Sequence, residues 1–153
     1  MSEPEVAGFL AEQRTVVCAT LGRDGWPHLM PLWYVVREGP GAGELWAWTY
    51  AASQKVRNLR RDPRATLQVE AGEEYHLLRG VMIKTRVNVV SDVDSVASVG
   101  LEIFARYAGG GQAAQLAAEV REMVLRQAPK RVALQFVECE QTSWDHRKLG
   151  GVY

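Results

Sequence analysis

The sequence predicts a mainly β fold: six short antiparallel strands forming a closed or partly closed barrel, with helices against its flanks. Three observations predict it. Short runs rich in β-branched and aromatic residues recur along the chain, as in Thr15–Leu21 (TVVCATL) and Glu44–Thr49 (ELWAWT). Tight turns separate them at Gly22–Gly25, Glu38–Gly43 and Ala71–Glu74. Helical periodicity is confined to four segments: one at the start, one after the third strand and two before the last. Strands joined mostly by hairpins pair antiparallel, and a sheet of this size curls or closes.

Each element has its own warrant. Glu3–Gln13 places Val6, Phe9 and Leu10 at helical spacing. Thr15–Leu21 is the first strand. Asp24-Gly25 supplies the positive φ of a hairpin turn, and Trp26–Val36 is the return strand. Pro27 and Pro31 each remove a ladder donor, so this strand lies on an edge or is bulged. Glu44–Thr49 follows as the third strand. A helix starts at Ser53 and stops before Pro63, with Val56 and Leu59 on its inward face. Arg64–Glu70 alternates as the fourth strand. Tyr75–Val90 is a long fifth, bent or bulged at Gly80. Asp92–Tyr107 and Gln112–Gln127 are helices, separated by Gly109–Gly111, with Pro129 stopping the second. Arg131–Glu140 is the sixth strand, and Gln141–Tyr153 is a polar, aromatic tail.

Composition narrows the function. At 153 residues, 47% hydrophobic and 24% charged, the chain reads as one soluble domain spanning 1–153. Eighteen basic residues balance eighteen acidic ones, which argues against a nucleic-acid binder. No apolar run is long enough for a membrane span, and the acidic start does not read as a signal peptide. Cys18 and Cys139 stand alone in strand-like contexts without CxxC spacing. They read as two buried, reduced thiols of a cytoplasmic protein, not as metal ligands.

The most informative stretch is Trp48–Leu59 (WTYAASQKVRNL), where a strand ends and a helix begins. Ser53 is a natural N-cap. Thr49 and Ser53 supply hydroxyls, the helix start supplies free N–H groups, and Lys55, Arg57 and Asn58 surround them. That combination suits a bound phosphate. Taken alone, the stretch reads rather as a capped surface helix with solvated cations, and the rest of the chain shifts that balance. Trp26, Trp33, Trp46 and Trp48 add aromatic surface on what reads as two adjacent strands beside it, from which one or two could form the flat wall that a ring cofactor needs.

Four stretches together resemble the split β-barrel flavin-binding superfamily that includes pyridoxamine-phosphate oxidases: Val17–His28, His28–Trp33, Thr49–Ala65 and Ser143–Leu149 (SWDHRKL). They are most similar to its F420-dependent flavin/deazaflavin oxidoreductases, subgroup B. The run KVRNLRRDPR followed by SWDHRKL carries most of the likeness. The resemblance implies a six-stranded antiparallel split barrel, homodimeric, with cofactor sites at the interface. It implies that Thr49, Ser53 and Lys55 hold the cofactor phosphate. Gln54 stands where the oxidases carry an arginine. Arg57 and Asn58 lie near the phosphate or the polyglutamyl tail. His28, Pro31 and Trp33 belong to the strand facing the ring, with Glu74 and Tyr75 on the next strand to reach it. Trp144 and Lys148 match a substrate-side aromatic and basic pair.

The chemistry implied is hydride transfer from reduced F420 to a small conjugated substrate of enone, quinone, lactone or tetrapyrrole type. Such a cofactor asks the protein mainly for orientation and water exclusion, which suits a sequence with no catalytic dyad, Walker loop or HExxH motif. A basic run of Lys55, Arg57, Arg60, Arg61 and Arg64 favours the multiply anionic F420 over FMN if several share a groove; at least two of the last three are expected to be solvated. The alternatives are an FMN-binding oxidase-like protein and a non-enzymatic carrier of flavin, deazaflavin or haem. Haem would need His28, His76 or His146 as its ligand.

Overall fold

A computed structural model describes residues 1–108, 112, 113 and 116–150. The glycine run Gly109–Gly111 and the tail end Gly151–Tyr153 lie outside the described residues. In chain order the elements are α1 (Glu3–Glu12), β1 (Val16–Leu21), β2 (Pro27–Leu32), β3 (Val35–Arg37), β4 (Glu44–Tyr50), α2 (Gln54–Arg61), β5 (Arg64–Ala71), β6 (Arg79–Val90), α3 (Val93–Ala108), α4 (Ala118–Gln127) and β7 (Arg131–Asp145). Single 3₁₀ turns span Tyr75–Leu77, Ala128–Lys130 and His146–Leu149.

The seven strands of the described residues form one antiparallel sheet in the order β2-β1-β5-β6-β7-β4-β3. Its two edges, β2 and β3, are consecutive in sequence. Only Trp33 and Tyr34 separate Leu32 from Val35, so the edges approach within about 11 Å, the reach of three extended residues. The sheet is therefore curled into a split barrel. The prolines of β2 sit on an edge strand, where their missing donors cost no ladder bond.

The expected return strand Trp26–Val36 is two strands, which makes seven and not six. Tyr34 causes the break. Its side chain is fully buried and its hydroxyl donates to Leu10 O at 2.7 Å. Its N–H donates to Tyr107 Oη at 3.2 Å, and its carbonyl accepts from Arg106 Nη1 at 2.7 Å. Side chains of α3 thus satisfy the backbone that a neighbouring strand would otherwise need.

The main core lies inside the curl, with Phe9, Leu10, Tyr34, Leu67, Ile83 and Phe136 among its largest members. A second cluster seals α3 against the outer face of β3, β4 and β7 through Val35, Val96, Val99, Ile103 and Ala133. Val56 and Leu59 of α2 are buried as their spacing predicts, each contributing roughly 1.5–3 kcal/mol.

Four further expectations change. Gly80 is neither bend nor bulge: a Cβ there would stand 2.2 Å from Trp144 Cζ2, so glycine admits the indole against the strand. The bulge falls between Lys84 and Thr85. The sixth strand continues to Asp145, because Gln141–Asp145 keep pairing with β6. The second long helix starts at Ala118, not at Gln112. Tyr75–Leu78, expected as strand, contains a 3₁₀ turn.

Candidate functional site

The corner where β4 ends and α2 begins brings the expected anion-binding residues together. Lys55, in the first turn of α2, points inward and is 7% exposed. Its Nζ donates to Thr49 Oγ1, on the inward face of β4, at 3.1 Å. Burial pushes its pKa below the ordinary value. Ser53 occupies the N-cap position with extended backbone, φ −68° and ψ 155°. Its hydroxyl makes no cap bond, however, and is buried with no hydrogen-bond partner among the described residues. A buried cation with spare donors, an unpaired hydroxyl and a helix start form a cradle with the chemistry of a phosphate site.

Asn58 is fully buried and ties this corner to β1. Its Nδ2 donates to Thr20 Oγ1 at 3.1 Å, and Gln54 Nε2 donates to Asn58 Oδ1 at 2.9 Å. Gln54 therefore supports the helix by way of Asn58. Thr20 stands opposite His28 in the β1–β2 ladder, and His28 Nδ1 is buried without a hydrogen-bond partner among the described residues. Thr49, Ser53, Gln54, Lys55, Asn58 and His28 are thus linked through one corner of the fold. Arg57 is exposed and donates to Ala52 O at 2.9 Å.

The basic run divides. Arg60 is exposed, Arg61 donates to Leu21 O, and Arg64 is exposed while paired with Asp62 at 2.6 Å. Beside Leu21 a cleft of about 530 Å³ opens across β1, β5 and β6, with Arg64, Lys84 and Arg86 on its rim. Cys139 lines it too. The bulge leaves Cys139 as the unpaired residue between Glu138 and Glu140 and turns it outward, so the expected buried thiol is exposed. Cys18 is buried as expected, which pushes its pKa up to about 12.

The tryptophans do not share two adjacent strands. Trp26 is 75% exposed in the β1–β2 turn. Trp33, in the link between the sheet edges, stacks on Tyr107 with centroids 4.5 Å apart and planes 11° from parallel. Phe104 of α3 meets both Trp33 and Trp48 edge-on, at 6.4 and 6.0 Å. Trp46 donates to Glu44 and carries the Arg37 guanidinium on its face. The result is an aromatic row from Trp33 past Phe104 to Trp48, ending at Tyr50. Both ends of the row are half exposed, and Pro31 is exposed on the edge strand leading to it.

Tyr75, Trp144 and Lys148 lie elsewhere. The β5–β6 ladder runs from the Arg64–Arg86 pair, near the end of α2, to Ala71–Arg79, near Trp144; that separation is about 24 Å at strand rise. There Trp144 packs on Gly80, Lys148 pairs with Glu5 at 2.7 Å, and Tyr75 meets the His146 ring at 4.8 Å. Glu74 pairs with His76 at 3.5 Å on the surface. Sequence reasoning missed Tyr107 and Phe104, which hold Trp33. Their helical spacing signals a packed face, but nothing in it names the partner.

Residues 2–136 match the family model for pyridoxamine 5'-phosphate oxidase. The chain belongs to that family. A conserved hypothetical protein, Rv2991, from Mycobacterium tuberculosis is 40% identical; the match covers 100% of this chain and 90% of that one, with a TM-score of 0.87. An F420 reductase is similar at 18% identity and TM-score 0.64, over 88% of this chain and 94% of that one. HutZ, a haem storage protein from Vibrio cholerae, is similar at 16% identity and TM-score 0.67, over 95% of each chain. The last two likenesses show the shared fold. No curated protein matches the chain. Among the described residues, no helix is long and apolar enough to cross a membrane.

Proposed function

We propose that this member of the pyridoxamine 5'-phosphate oxidase family is a reductase that uses reduced F420 to deliver a hydride to a small conjugated organic substrate, and that it works as a homodimer. The observation that carries the reading is the unpaired, buried Ser53 hydroxyl beside a buried Lys55 with one acceptor among the described residues. Unpaired groups of this kind are costly in a finished core and are explained by an anionic ligand.

The deazaflavin supplies the hydride; the chain's residues bind, orient and exclude water. Lys55, Ser53 and Thr49 would hold the phosphate, with Gln54 and Asn58 fixing the helix that presents them. Arg57 and the exposed Arg60 would meet the acidic tail. His28, Pro31 and Trp33 would border the ring, Trp33 being held flat by Tyr107. Trp144, Lys148 and Tyr75 sit too far from α2 of their own protomer, so in this reading they serve the partner's site across the interface.

Fluorescence titration of the cofactor-free protein with F420 and, separately, with FMN tests this. Micromolar or tighter binding of F420 over FMN supports the reading. Preference for FMN moves the protein to a flavin-dependent function. Binding of neither, with an intense Soret band on adding haem, makes it a haem carrier.

A further inference from the structure

Four arginines among the described residues are partly buried: Arg37, Arg79, Arg106 and Arg131. Arg37 pairs with Glu102 and Arg79 with Glu12, each at 2.7 Å, and Arg106 donates to main-chain carbonyls. Arg131 has no oxygen partner among the described residues. Its guanidinium lies between two rings, 4.2 Å from the Trp48 centroid and 4.0 Å from that of Tyr50, and its Nε is buried without an acceptor.

The two rings pack against the guanidinium and leave its buried Nε–H as the unsatisfied part. A side chain kept there only to fill space would carry no such cost. The sandwich also removes rotamer freedom in advance, so a planar acceptor meets a prearranged fork. We propose that Arg131 is a carboxylate-recognition residue for the bound small molecule.

Its place supports this. Arg131 stands opposite Tyr50 in the β4–β7 ladder, and the Ser53 N–H donates to Tyr50 O at 3.0 Å. The sandwich is therefore one turn from the unpaired Ser53 hydroxyl. Lys55 and Thr49 lie inside the end of β4 and Arg131 lies outside it. A ligand with a phosphate at the first point and a carboxylate that reaches round the end of β4 would use both. The inference rests on the proposed deazaflavin site for its first anchor, and the carboxylate has two sources: the glutamate tail of F420 or an acidic substrate.

The experiment compares wild type with Arg131→Met, which keeps the apolar stem, after thermal melting shows both folded. Tailed F420, F420 stripped of its glutamates, and an α,β-unsaturated acid with its methyl ester are the probes. Weakening of tailed F420 by tenfold or more, with the stripped form unaffected, supports the proposal with the cofactor as source. Unchanged cofactor affinity, with KM raised for the acid but not the ester and kcat held, supports it with the substrate as source. Equal losses for all ligands, or no change for any, overturn it. If wild type binds no deazaflavin, the proposed function fails separately, and Arg131 is read by titrating triglutamate against tryptophan emission. A saturable change in wild type that Arg131→Met abolishes supports the proposal; no difference between the two overturns it.

Discussion

Lys55 and Thr49 are joined by a buried hydrogen bond, Nζ to Oγ1 at 3.1 Å, that uses one of the three ammonium donors. Lys55→Met is expected to weaken cofactor binding about tenfold to a hundredfold, the scale of a charge-assisted bond. It should not lower the melting temperature of the free protein, since the buried charge goes with it. Titration calorimetry beside a thermal melt separates the two effects.

The same lysine gives a pH dependence. Its folded pKa lies below the ordinary 10.5, so between the two values the unfolded chain binds more protons. Stability of the free protein therefore rises with pH across that alkaline interval. Cofactor affinity falls across it, because the anion needs the charged ammonium. Melting and binding series in wild type and Lys55→Met check both signs; identical slopes in the two proteins would refute the assignment.

Cys18 and Cys139 should differ in reactivity. With its pKa pushed up to about 12 by burial, Cys18 has almost no thiolate at pH 8. Cys139 is exposed on the bulge. A thiol reagent should count one group in the native protein and two in denaturant.

Gly80→Ala is expected to displace Trp144, because the new methyl would lie 2.2 Å from the indole. The cost should be about 1–3 kcal/mol, as for other overpacked sites. Red-shifted tryptophan emission and a lower urea midpoint are the readouts.

Arg106→Met should cost about 2–3 kcal/mol, since it removes a charged donor from several main-chain carbonyls, and such bonds contribute more than neutral ones. The guanidinium donates to Leu10, Ala11, Gln13 and Tyr34, and so ties α1 and the Trp33–Tyr34 link to α3. Urea unfolding measures it.

Much of this fold can be read locally. The Asp24-Gly25 turn has φ +83° at Gly25, the proline strand lies on an edge, and the inward face of α2 is set by spacing. The split of Trp26–Val36 cannot be read that way, because Trp33-Tyr34-Val35-Val36 is as strand-like as its neighbours. It depends on Arg106 and Tyr107, more than 70 residues away. The β7 extension is not legible because Gln141–Asp145 are, Trp144 apart, polar and mostly half buried, without a core face to alternate. At the candidate site, the hydroxyl and cation types of Thr49, Ser53 and Lys55 are legible in the sequence, and the structure places them at one corner. The loneliness of Arg131 and the outward turn of Cys139 arise from packing and register, which no short motif records.

Strand β7 follows every other strand in the chain, yet it lies between β6 and β4 in the middle of the sheet. During synthesis the edges of β4 and β6 must wait, unpaired, until about residue 145 has left the ribosome. Such waiting edges are the surfaces on which nascent chains associate wrongly. Chains halted before residue 131 should therefore aggregate rather than fold. Productive yield should depend on how quickly residues 131–145 follow, making translation speed across that segment a determinant of how much protein a cell obtains.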